Sequence, residues 1–136
     1  MTCFWKGIIT ALGINKIKKV LDYKARHSKI AQPAKFIQAL KEKNVETNDV
    51  LWEGNELSDI LIKQNYHDIA NFDIDKIKMG YDCSSCDPFL LLICQIFEIN
   101  IQFNVDGVVV DYTNKKVKNK SYKLNFNCDL GHFWTD

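Results

Sequence analysis

DPFLLLICQIFEINIQF (residues 87–103) changes its hydrophobic period midway, and that change decides how the rest of the chain is read. Asp87-Pro88 is a helix start, with Asp as cap and Pro at the first helical position. Phe89 to Phe97 is apolar nearly all round, and a helix of that kind is buried on most sides. From Ile101 onward the period becomes two: Ile101, Phe103 and Val105 alternate with polar residues, as a half-buried strand does. Asp106-Gly107 then predicts a tight hairpin turn, and Val108 to Tyr112 its second strand. After a polar loop, Lys115 to Lys120, the alternation returns at Tyr122, Leu124 and Phe126. His132 to Trp134 predicts a last strand.

Upstream, the pattern is helical. Phe4, Ile8, Ala11 and Leu12 fall on one helical face, and Ile14, Ile17, Val20 and Leu21 form a second amphipathic stretch after Gly13. Pro33 opens a third helix, with Phe36, Ile37 and Leu40 inward and Lys35, Lys41, Glu42 and Lys43 outward. A fourth is predicted to begin at Gly54-Asn55, with Asn55 as cap and Leu57, Ile60 and Leu61 buried. The Asp- and Asn-rich stretch 65–82 reads as mostly loop with one short strand. The expected architecture is α+β: N-terminal helices, then an antiparallel meander, with helix 88–98 wedged between them.

The whole chain, residues 1–136, is expected to be one domain, with 46% apolar residues to build its core. A formal charge of +1 lacks the basic excess of a nucleic-acid binder. No stretch is apolar enough for long enough to predict a membrane span. Five cysteines and no recognisable secretory leader point to free thiols in a reducing compartment. Seventeen of the eighteen basic residues are Lys, with Arg26 the exception, which reads as an AT-rich coding sequence of a virus or microbe. The abrupt start, with Cys3 at once, reads as a domain excised from something longer.

Cys3 begins a predicted helix, where the dipole and unpaired N–H groups favour the thiolate and can hold an oxyanion. His132 follows 129 residues later on a predicted strand, beside Gly131, which leaves room for a substrate. A cysteine near the N-terminus with a distant histidine is the layout of papain-like peptidases. A Cys3–His132 nucleophile and base pair is the expectation.

The same residues carry a family resemblance. Cys3-Phe4-Trp5-Lys6-Gly7-Ile8 resembles the nucleophile motif of the ovarian-tumour (OTU) deubiquitinases, Asp87 to Phe103 their later helix and strand, and Gly131-His132-Phe133 their terminal histidine strand. The small size is similar to the compact papain-like, OTU-type proteases of nidoviruses such as arteriviruses and toroviruses. The resemblance implies a papain-like fold and hydrolysis of peptide and isopeptide bonds after Gly-Gly-like tails. It implies ubiquitin, ubiquitin-like proteins and a viral polyprotein as partners, host cytoplasm as the setting, and evasion of innate immunity as the use. The chain departs from the family twice. Only Met1 and Thr2 precede Cys3, so an Asp that shapes the oxyanion loop has no counterpart. Two residues after the histidine stands Trp134, not Asn or Asp. Trp134 is therefore expected to wall the substrate groove with Gly131, with Asp136 left as a distant candidate for orienting the imidazole.

Other residues admit two readings. Cys83 and Cys86 form a C-x-x-C pair that could hold zinc with Cys128, and with His132 as fourth ligand, in a non-catalytic interaction module. The expected state is no metal, the pair being a loop before helix 88–98. Lys115, Lys116, Lys118 and Lys120 read as a solvated hairpin tip, and His27 and His67 as surface residues. Asp49, Glu53, Glu56 and Asp59 read as a solvated helix face, or as an acidic stretch that meets the arginines of a ubiquitin tail.

Overall fold

A computed structural model describes residues 3–21, 32–75, 86–105, 107–118, 123–129 and 132–135, with side chains for most of these. Among the described residues no helix is long and apolar enough to cross a membrane.

Helix α1 (Cys3–Leu12) ends at Gly13, whose φ of +86° L side chains rarely adopt, and α2 (Ile14–Val20) starts beyond it. The buried face of α1 is Trp5, Ile8, Ile9 and Leu12. That is the i, i+3, i+4, i+7 stripe of a packed helix, turned slightly from the expected one. On α2 and just after it, Ile17 and Leu21 are buried as expected. Helix α3 (Pro33–Glu42) buries Phe36, Ile37, Ala39 and Leu40. Lys41, expected outward, is half-buried, and its ammonium donates to the Phe72 carbonyl at 2.7 Å.

The predicted helix at Gly54-Asn55 is a hairpin. Strand β1 (Val50–Trp52) pairs with β2 (Asn55–Glu56) through a turn in which Glu53 and Gly54 have φ of 52° and 78°. Two positive φ values in a two-residue loop match the twist of the strands, and they exclude a helix start. Helix α4 (Asp59–Ala70) begins four residues later, where the Ser58 hydroxyl accepts from the Leu61 N–H at 3.2 Å. The shift changes which residues are buried: Ile60 and Leu61 are exposed, while Ile62, Asn65 and Ile69 are inside. It also carries the helix through residues 65–70, expected as loop.

Helix α5 (Cys86–Phe97) starts at Cys86, one residue ahead of the expected cap at Asp87. Its run Phe89 to Cys94 is buried without interruption, as the all-round apolar pattern requires. Trp5 meets Phe89 edge-on at 5.0 Å between centroids and Phe36 at 6.2 Å. These rings join α1, α3 and α5 in one core.

Strands β3 (Asn100–Val105) and β4 (Val108–Asn114) form the expected hairpin at Gly107, with Val105 opposite Val108. The expected meander does not follow. Strand β5 (Lys123–Asp129) pairs with β3, in parallel, and β6 (His132–Thr135) then pairs antiparallel with β5. The sheet order is β2-β1-β4-β3-β5-β6. The reason is that β1 occupies the other edge of β4, setting Val50 opposite Asn114 and Trp52 opposite Tyr112. The chain leaving β4 therefore takes the edge of β3 that is still open. The fold is mixed α+β, with β1 and β2 coming before α4 and α5 rather than all strands after all helices.

Candidate active site

Cys3 is the first residue of α1, and His132 is the first residue of β6. The two elements pack against each other, and α1 also touches β5 and α3. The first and last described elements therefore meet at one side of the sheet, where β6 is the edge strand among the described residues. The side chains of Cys3, His132 and Trp134 lie outside the described residues, as do Gly131 and Asp136 altogether.

The helix supplies a suitable electrostatic setting for a thiol at its start. Its first turn holds no acidic residue to offset the positive end of the dipole, and exposed Lys6 stands three residues on. Trp5, two residues after Cys3, is fully buried, so the start of α1 is anchored by the core.

Register fixes the surroundings of position 132. On β3, Ile101 and Phe103 are buried, and they align with Leu124 and Phe126 of β5. By register, Cys128, Phe133 and Thr135 belong to the same row. The other row holds Asn125, Asn127 and Asp129 on β5, with His132 opposite Asp129 and Trp134 opposite Asn127. Helix α1 belongs to the core side, through Trp5, Ile8 and Ile9. His132 therefore stands in the other row from the one that continues Ile101 and Phe103, and among the described residues no strand lies beyond β6.

The sequence reading did not place Asp129 opposite His132. Its signal was present: two alternating runs separated by Leu130-Gly131 predict a two-residue hairpin, which sets residues 129 and 132 opposite each other.

The zinc reading is divided between elements. Cys83 lies outside the described residues, Cys86 opens α5, and Cys128 stands opposite Phe133 on β5. Cys128 and His132 thus occupy different rows of the hairpin. Cys94 is a fully buried free thiol, and burial pushes its pKa far up. It is an inert core residue.

The acidic stretch is not one helix face. Asp49 precedes β1, Glu53 is in the β1–β2 turn, Glu56 is on β2 and Asp59 opens α4. Three of the four are engaged locally. Asp49 exchanges two hydrogen bonds with Gln95 and pairs with Lys116 at 3.3 Å. Glu56 pairs with Lys115 at 2.8 Å, and Glu53 accepts from the Asp111 N–H at 2.8 Å. The Asp49 carboxyl is held below its ordinary pKa by the Gln95 hydrogen bond first and Lys116 second. The same contacts pair Lys115 and Lys116, both exposed, with Glu56 of β2 and with Asp49 just before β1. Lys120 and His27 lie outside the described residues, and His67 is on the exposed surface of α4 beside the Tyr66 ring.

Compared with protein-family models, with curated proteins and with solved structures, the chain matches none.

Proposed function

We propose that this chain is a cysteine peptidase in which Cys3 is the nucleophile and His132 the general base. One observation carries the reading: the helix that Cys3 opens packs against the edge strand that His132 opens. In the reaction, His132 takes the thiol proton and the Cys3 sulfur attacks the carbonyl carbon. The carbonyl π electrons move to oxygen, facing the N–H groups at the start of α1. Collapse of the tetrahedral intermediate breaks the C–N bond, and the amine leaves with the proton from the imidazolium. Water, deprotonated by His132, then cleaves the thioester and regenerates the thiol.

The substrate class follows from the OTU-like motifs: Gly-Gly-like tails of ubiquitin or its relatives, and junctions of a viral polyprotein, in host cytoplasm. Gly131 and Trp134 flank His132 in sequence and suit a groove narrow enough to select glycines. No metal takes part in this chemistry.

A ubiquitin bearing a C-terminal electrophile tests the reading. One covalent adduct is expected, mapped to Cys3. Modification of Cys83, Cys86 or Cys128 with Cys3 untouched overturns it. Metal analysis of the purified chain tests the rival module: stoichiometric zinc with unfolding on chelation supports a structural site at Cys83, Cys86 and Cys128.

A further inference from the structure

We propose that Asp129 is the positioning acid of His132, because the β5–β6 register sets the two residues directly opposite each other across the last hairpin. The inference rests on the peptidase reading for its purpose and on the register for its geometry. Residues directly opposed in an antiparallel pair share a face, with Cβ atoms about 4.5–5.5 Å apart. That separation suits an aspartate and an imidazole. A carboxylate that accepts from one ring nitrogen fixes the tautomer, leaves the other nitrogen free to take a proton, and stabilises the imidazolium that results.

The other positions fit less well. Trp134 shares the row of His132, but an indole N–H only donates. Asn127 is opposite Trp134, a diagonal step of about 7–8 Å from His132, and carries no charge. Asp136 stands four residues along the chain from His132 and outside the described residues. The titratable residues on the described elements packed against β6 are Cys3 and Lys6 on α1, and Lys123, Cys128 and Asp129 on β5. Asp129 is the one carboxylate among them. A group three residues before the base, on the preceding strand, also explains how Trp134 can stand where an orienting Asn or Asp is expected.

The test reads His132 directly and activity separately. The chain has three histidines, so a proton NMR titration resolves them, and His132→Gln identifies the signal. The imidazole of His132 is expected to titrate at lower pH in Asp129→Asn than in the wild type, by about half a unit to one unit, because a nearby anion is gone. In the ubiquitin-tail assay, Asp129→Ala is expected to lose on the order of 10²-fold in kcat with little change in KM, the cost of a misplaced catalytic group. Asp129→Asn keeps most of the rate, since its amide oxygen still accepts, but the acid limb of its pH profile, set by protonation of the base, moves to lower pH. Circular dichroism checks that each variant is folded. An unchanged His132 titration in Asp129→Asn overturns the proposal whatever the activity. If His132→Ala is inactive while Asp129→Ala keeps the wild-type rate and profile, the proposal falls and the peptidase reading stands. If the His132 shift is seen but Cys3→Ala still hydrolyses substrate, the Asp129–His132 pair stands and the peptidase reading falls.

Discussion

Asn114 is fully buried at the end of β4 and ties three elements together. Its amide donates to the Cys94 carbonyl of α5 at 2.7 Å, its side-chain oxygen accepts from the Lys116 N–H at 2.8 Å, and its backbone N–H donates to the Asn100 side chain at 2.8 Å. Asn114→Ala removes the first two. At about 1 kcal/mol for each bond, with a small cavity besides, the loss is about 2–3 kcal/mol. For a chain of this size that is about 8–12 °C in Tm. Asn114→Asp is the sharper perturbation, because it sets an acceptor against an acceptor at Cys94. When protonated, the introduced carboxyl can still donate to that carbonyl; when ionised, it cannot, and it is buried. Its folded-state pKa is therefore raised above the unfolded value. The unfolded chain ionises first, so stability is lost as pH rises from the unfolded pKa toward the folded one. The deficit relative to the wild type is small near pH 4 and grows by about 1.4 kcal/mol per pH unit above it until the folded-state pKa is reached. Thermal melts followed by circular dichroism at several values between pH 4 and 7, for wild type and both variants, measure this. A deficit in Asn114→Asp that is independent of pH and equal to that of Asn114→Ala would refute the reasoning. It would mean that the amide does not donate to Cys94.

His132→Ala is expected to lower the rate on the order of 10³-fold or more in the ubiquitin-tail assay, with an unchanged circular dichroism spectrum. In the same assay Asp136→Ala keeps most of its activity and Trp134→Ala loses much of it; an Asp136→Ala variant as inactive as His132→Ala would make Asp136 the orienting acid. Asp49 is held below its ordinary pKa of 3.8 by Gln95 and Lys116, so its contribution is present above that value and lost as pH falls through the lowered one. Acid unfolding of Gln95→Leu should accordingly show a weaker pH dependence in that window than the wild type. Ser58→Ala removes the cap of α4 and should cost about 1 kcal/mol in urea unfolding; no change would show that Ser58 does not define the helix start.

The sequence by itself determined the elements whose signals are local. The unbroken apolar run of α5, the alternation of Ile101 and Phe103, and the turn at Asp106-Gly107 each act within a few residues, and the structure has a buried helix and a hairpin there. Pro33 and Gly13 likewise mark a helix start and a helix break through backbone geometry alone. Val50–Trp52 is too short to show a period, and it is a strand because β4 offers it an edge 60 to 64 residues away in sequence. That pairing in turn sends β5 to β3 in parallel, an outcome no pattern within residues 123–129 contains. At the candidate site, Cys3 at a helix start and His132 at a strand start were legible, since each depends on its own neighbours. The packing of α1 against β6, and the row that sets Asp129 opposite His132, depend on packing and register between segments, which only the tertiary structure decided.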